Sequence, residues 1–393
     1  MTLNSISDDD SQHWRRQWNL RSDTIYLNHG SFGPPPQPVL DAQRRWKAAL
    51  DEQPMDFFVR QYEPAWREAR RRLAAWLDTR DENLVFVENA THAMNVVADS
   101  FPLQRDEEVL FTDHEYGAVL RIWERRCAQV QAAPPVIARL PLPMESVEQV
   151  VDALFAKVTS RTRLIVVSHI TSPTAVILPV AEICRRAARE GIAVCIDGPH
   201  APAQVPLSLD SLNADFYAAS CHKWLSAPFG SGFLYVAPRW QDRVRSPLLS
   251  WGRLLPAKPE KWDDEFLWSG TRDSSPYFSI PTAIDFLESY GMDRFRETTH
   301  ALARYARQSL VDLFGLEPIV PDDPAWYGTM AHVPLPPGDA RVLQIALWQQ
   351  HHIEVPIVAW NDRRYVRVSC HLYNDASQID ALVHALKDLT RTP

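Results

Sequence analysis

The chain has 393 residues, 46% hydrophobic and 23% charged, the balance of a globular protein with more chain than one ordinary core absorbs. A formal charge of −8 argues against general phosphate-backbone binding, and no uninterrupted apolar run approaches membrane-spanning length, so neither nucleic acid nor membrane is an expected partner. The five cysteines (Cys127, Cys184, Cys195, Cys221 and Cys370) form no CxxC pair, and the acidic start carries no apolar signal core, so a reduced, cytoplasmic setting is expected.

In chain order, "REARRRLAAWL" (67–77) reads as a helix with Leu73, Trp76 and Leu77 inward and its arginines in solvent. "NLVFVENATHAMNVVADSF" (83–101) reads as strand, turn and helix, with Leu84 to Val87 as the strand and Asn89 or Thr91 as the cap. The pattern repeats in "EVLFTDHEYGAVLRIWERR" and in "RTRLIVVSHITSPTAVILPVAEICRRAAREG", where Gly191 takes a C-cap position. "IAVCIDGPHAP" is a continuous apolar strand ending on Asp197, the pattern of a strand covered on both faces. "DFYAASCHKWLSAPFGSGFLYV" (215–236) runs an apolar strand into His222 and Lys223, turns through a Gly/Pro/Ser loop and closes on Phe233 to Val236.

This alternation predicts an α/β fold of three layers around a doubly wound, mainly parallel sheet, with ligands at the carboxyl ends of the strands. There fall the polar tips: Asn89 to His92, His114 to Tyr116, Ser168 to Ser172, Asp197 to His200 and His222-Lys223. A Pro/Trp-rich stretch follows at 245–270, then helices and a strand–helix–strand–helix ending, read as a smaller α+β C-terminal domain. The expected division is an N-terminal segment 1–25 on the small domain, a large domain 26–270 and a small domain 271–393.

A lysine at a strand end in a cleft suggests covalent catalysis, because a desolvated amine has a lowered pKa and can form a Schiff base. Pyridoxal phosphate uses such a lysine most often, together with a carboxylate that keeps its ring nitrogen protonated. Asp197 alone reads as a cap or turn residue; beside Lys223 on a neighbouring tip it becomes the candidate carboxylate. No GxSxG or HExxH is present, and His351-His352 would point about 100° apart on a helix, so no metal site is expected.

The stretch "IDGPHAPAQVPLSLDSLNADFYAASCHKWLSAPFGSGFLYV" resembles the large domain of class V aminotransferase-like pyridoxal phosphate enzymes of fold type I, a group that includes cysteine desulfurases and isopenicillin N epimerases. The resemblance runs from "YLNHGSFGPPP" (26–36) to "VRVSCHLYN" (366–374). It implies pyridoxal 5'-phosphate as cofactor, Lys223 as its Schiff-base lysine and as the base at Cα, Asp197 on the ring nitrogen and His200 on the phenolic oxygen. It further implies His222, Ala90 and Thr91 on the phosphate, Tyr116 stacked on the ring, and Ser172 (or Thr171) as a polar ring contact. Thr271 matches a phosphate contact donated by a second subunit, which implies a homodimer with a shared active site. Arg367 matches the arginine that holds the substrate carboxylate, with His29, Gly30 and Ser31 beside it. Taken singly, His200 and His222 also fit satisfied buried histidines, Tyr116 ordinary packing, Arg367 a surface ion pair and residues 29–31 a simple turn.

A desulfurase needs a nucleophilic cysteine shortly before that arginine, and none lies between His351 and Arg367. Cys370 follows it and reads as a small buried side chain. "LNHGSFG" and "IEVPI" look more like the isopenicillin N epimerase branch. The expected activity is therefore at Cα of an amino-acid-type small molecule, most like an epimerase. The alternatives are a β-eliminating C–S lyase of a cysteine derivative, then an aminotransferase, or an inactive binding module of the same fold. An epimerase needs a second acid, for which Tyr116, His29 and Tyr217 are candidates. Trp251, Trp262 and Trp268 read as dimer-interface packing rather than a substrate pocket.

Overall fold

The computed structural model describes residues 13–251 and 259–390. Its main sheet has seven strands: β2 (Leu84–Val87), β3 (Glu108–Thr112), β4 (Val136–Ala138), β5 (Thr162–Ser168), β6 (Ala193–Asp197), β7 (Phe216–Ser220) and β8 (Gly232–Val236). Their spatial order is β2-β8-β7-β6-β5-β3-β4. Only β8 runs against the others, because the loop after β7 returns the chain directly without a crossover helix. Both faces are covered: along β5, Ile165 and Val167 enter one core while Leu164 and Val166 enter the other. The alternation of a two-residue period thus divides one apolar run between two layers of helices. Register sets the tips side by side, with Ser168 opposite Asp197 and Asp197 opposite Ala218.

A smaller antiparallel sheet holds β9 (Met330–Pro334), β11 (Ile357–Trp360) and β12 (Arg363–Ser369), in the order β11-β12-β9, over its own apolar cluster. Helix Ile280–Tyr290 packs on helices Gln37–Glu52 and Tyr62–Trp76, whereas helix Met292–Phe314 packs on β9. The N-terminal strand β1 (Ile25–Tyr26) pairs in parallel with β10 (Ile353–Glu354), and Asn28 bridges Ser369. Upstream, Trp18 meets Phe286, His371 and Tyr373 edge-on; residues 1–12 of the expected N-terminal segment lie outside the described residues. Among the described residues no helix is long and apolar enough to cross a membrane.

One local expectation is corrected. The arginine run of helix Tyr62–Trp76 is not wholly solvated: Arg70 is 3% exposed, because it falls on the stripe of Tyr62, Trp66, Ala69 and Leu73. Its guanidinium is held there by Asp263, by Asp81 at 3.3 Å and by the Trp66 ring, 4.7 Å from centroid to Cζ. Two of the three tryptophans read as interface, both half-buried, also make contacts within the chain. Trp268 packs edge-on against Phe58 and Tyr62, and Trp262 donates to the Glu82 carbonyl at 3.1 Å. Trp251 is exposed.

Candidate active site

The strand β7 ends at Ser220, and the chain turns tightly, Ser226 N–H closing on the Lys223 carbonyl at 2.9 Å. This turn brings the Lys223 amine to 3.1 Å from His200 Nε2. Trp224, fully buried, donates its indole N–H to His200 Nδ1 at 3.3 Å. Nδ1 is therefore the acceptor, and the neutral ring carries its proton on Nε2, pointed at Lys223. Burial keeps His200 neutral, far below the usual histidine range.

Asp197, 4% exposed at the end of β6, accepts no side-chain hydrogen bond from any described residue. Burial lifts its carboxyl to about 6 while the Lys223 charge pulls the other way. Lys223 is drawn down to about 7, chiefly by burial and then by the positive charge of Arg367, against the attraction of Asp197. An amine that loses its proton near neutrality is a competent nucleophile and base.

Arg367 reaches the same pocket from β12. It is 4% exposed; Nη1 donates to the Ser172 carbonyl, with the Ser172 hydroxyl at 3.4 Å, and Nη2 donates to the Ser31 hydroxyl at 2.9 Å. No described carboxylate forms an ion pair with it, and its Nε has no partner. Desolvation lowers it to about 10. A buried guanidinium with only neutral acceptors lacks the anion it is shaped to receive.

The N-terminal turn closes the pocket. His29, fully buried, bonds the Lys223 carbonyl through Nε2 at 3.0 Å and Tyr373 Oη through Nδ1 at 2.9 Å, and it stacks on His371 at 4.0 Å. A Cβ at Gly33 would come within 2.6 Å of the Lys223 carbonyl oxygen, and one at Gly30 within 2.6 Å of Met330 Sδ, so the backbone passes too close for a side chain.

At the start of helix Ala90–Ser100, Asn89 caps the His92 N–H at 2.9 Å, and the Ala90 N–H donates to Ser220 Oγ at 3.0 Å. Among the described residues, the Thr91 N–H is the one in that turn without a partner, and the Thr91 side chain is exposed. His222, two positions past Ser220 in the chain, has a buried, unpartnered Nδ1, its ring lowered to about 4 by burial and then by Lys223.

The remaining sequence-predicted residues differ in enclosure and partners. Ser172 faces Arg367, while Thr171 is occupied by Thr174 at 2.6 Å and by the Val176 N–H at 2.9 Å. Tyr116 is 48% exposed at the cap of helix Gly117–Val130. Thr271 is exposed, and its neighbour Arg272 pairs with Glu88 at 3.4 Å. Tyr217 is fully buried against His169, 2.9 Å from its Nδ1, with no exposed surface from which to reach a substrate. Trp224 and His371 were not singled out by the sequence, and Ser220 and Tyr373 only as positions of the S-x-H-K and R-x-S-x-x-x-Y-N elements with no role assigned; each acts on a candidate residue across a distance the chain order does not reveal.

The Aminotransferase class-V family model matches residues 25–382. The chain belongs to that family. Isopenicillin N epimerase from Amycolatopsis lactamdurans is 39% identical, covering 96% of this chain and 98% of the relative. The isopenicillin N epimerase of Streptomyces clavuligerus is 35% identical over 97% and 98%. A putative L-cysteine desulfhydrase of Oryza sativa subsp. japonica is 30% identical over 92% and 82%. The solved cystine C–S lyase C-DES, in complex with its product cysteine persulfide, superposes with a TM-score of 0.82 at 20% identity, over 93% and 98%, a likeness of fold. As a class-V member the chain is a pyridoxal phosphate-dependent enzyme of fold type I. The pocket suits that cofactor: a donorless buried carboxylate for a ring nitrogen, a depressed lysine, and, for a phosphate, a free helix N–H and an unpartnered histidine nitrogen.

Proposed function

We propose that the enzyme inverts or exchanges the hydrogen at Cα of an amino-acid group, as an epimerase of the isopenicillin N epimerase kind, within a cytoplasmic homodimer that shares its sites. The observation that carries this reading is the buried, anion-free Arg367 beside the depressed amine of Lys223. Bound pyridoxal phosphate supplies an electrophilic carbon for the substrate amine and a ring that disperses the electron pair left at Cα. Arg367, steadied by Ser31 and Ser172, takes the substrate carboxylate; His29 and Gly30 wall that end. Asp197 holds the ring-nitrogen proton, and His200, its tautomer set by Trp224, donates from Nε2 to the phenolic oxygen. The Thr91 N–H and hydroxyl, with His222, hold the phosphate; the Ala90 N–H shapes that turn through Ser220 instead. Lys223 removes the Cα proton once its own amine is free. Tyr116 and Thr271, both exposed in one protomer, complete the site against the ring face and the partner's phosphate.

All five cysteines are buried and burial raises Cys370, so none serves as a persulfide-forming nucleophile. The 30% identity to a desulfhydrase supports β-elimination as the second reading. Proton NMR in heavy water with amino acids, S-substituted cysteines and cysteine-containing peptides separates the two. Loss of the Cα proton signal from an intact molecule supports the epimerase; pyruvate with a released thiol replaces it by the lyase.

A further inference from the structure

Behind Asp197 lies a second buried carboxylate that the proposed chemistry does not use. Glu115, 7% exposed, follows β3 and reaches back toward β5. Its Oε1 accepts from the Thr112 hydroxyl at 2.6 Å; its Oε2 accepts from the Ser168 N–H at 2.9 Å and the Ser168 hydroxyl at 2.6 Å. The Thr112 hydroxyl oxygen in turn accepts the His114 N–H at 3.2 Å, which leaves its own proton for Glu115. Three neutral donors hold this carboxylate, and no described cation pairs with it. Ser168, which supplies two of them, stands directly opposite Asp197 in the parallel register.

A buried carboxylate is ordinarily paired or neutral. This one has been placed where it faces another. Burial lifts Glu115 to about 7, and the charge of Asp197 adds to the lift. Such an interaction is mutual, so an ionised Glu115 raises the proton affinity at Asp197 as well. The other titratable groups around the pair are Cys195 on β6, Tyr217 on β7 with its partner His169, and Lys223 beyond Asp197. Burial keeps Cys195, Tyr217 and His169 neutral, which leaves Glu115, Asp197 and Lys223, with the charge of Arg367 acting on Lys223, to set the local charge.

We propose that Glu115 is a positioning residue which, clamped by Ser168 and Thr112, holds a negative charge behind Asp197 and so keeps the cofactor's ring nitrogen protonated. This rests on the reading of Asp197 as the ring-nitrogen partner. The sign is fixed: removing a negative charge lowers the proton affinity of both Asp197 and the nitrogen it faces, most of all above neutrality, where Glu115 is ionised.

The test loads the enzyme with cofactor labelled with nitrogen-15 in the ring and follows that resonance against pH. Glu115→Gln keeps the Ser168 bonds through its oxygen and reverses only the bond to Thr112, where its amide donates to the hydroxyl oxygen and the Thr112 proton turns away. The expected result is ring deprotonation about one pH unit lower, roughly a tenfold loss of proton affinity. Ser168→Ala, which keeps the charge and the backbone bond, is expected to shift the profile by less. In cofactor-free protein with carbon-13-labelled aspartate carboxyls, Asp197 is expected to titrate lower in Glu115→Gln. Unchanged ring and Asp197 profiles overturn the proposal, as does a Ser168→Ala shift as large as that of Glu115→Gln. A shifted Asp197 with an unmoved ring nitrogen overturns it through the assignment of Asp197, leaving the coupling of the two carboxylates in place.

Discussion

Arg70 and Arg367 are buried almost equally, at 3% and 4% exposure, and are satisfied in opposite ways. Around Arg70 the protein provides its own anions, Asp263 and Asp81, and an aromatic face. Around Arg367 it provides only hydroxyls and a carbonyl. The difference teaches where to look for a ligand: a buried cation with an internal counterion belongs to the scaffold, and one without it awaits an anion from outside.

The largest effect that could break this contrast is on stability. Arg70→Ala strands Asp263, itself 7% exposed, as an uncompensated buried charge, a loss of about 3–5 kcal/mol in denaturant unfolding. A loss below about 1 kcal/mol would place Arg70 among the ordinary surface pairs. Arg367→Lys should do the reverse, leaving the unfolding midpoint level or higher while kcat/KM falls about 100-fold, since an ammonium cannot reproduce the fork. If Arg367→Lys instead unfolds the protein as Arg70→Ala does, the two arginines are alike.

The influence of Arg367 on Lys223 gives a third, subtler test. Only the uncharged amine takes up cofactor, and Lys223 sits near 7 rather than 10.5. The rate of cofactor uptake by the free protein should be level above about pH 8 and fall roughly tenfold per unit well below 7, as protonation removes the nucleophile. Arg367→Met removes one of the two causes of the depression and should move the midpoint upward. A midpoint near that of an ordinary lysine in the unaltered protein would sink the picture of a desolvated amine. The smallest effect is expected from Trp224→Phe, which deletes one donor to His200: about 0.5–1.5 kcal/mol of stability, with nitrogen-15 shifts showing His200 no longer locked with its proton on Nε2.

Much of this was legible in the chain itself. Continuous apolar runs ending on polar tips betray strands buried on both faces, and Asp197 and Lys223 each terminate or follow such a run. Their neighbourhood in space then follows from right-handed alternation of strands and helices. What local pattern cannot carry is pairing between distant segments. Glu115 reads as one more acid in a tip until Ser168 is seen opposite Asp197. Arg70 reads as solvated until the loop bearing Asp263 covers its helix. Trp224 reads as bulk beside a lysine, and only its contact with a histidine 24 positions away makes it a director of tautomer. Reversal of β8 is a matter of a short return loop rather than of composition.

The pairing of β1 with β10, and of Asn28 with Ser369, also sets an order in time. During synthesis the large sheet can assemble from residues already outside the ribosome. The turn at 29–31 can rest on the Lys223 carbonyl through His29 earlier, but the partner of Ser31 arrives only with the strand carrying Arg367, nearly the whole chain later. The pocket is thus completed late, and a prematurely ended chain carries the lysine without the wall that selects what reaches it.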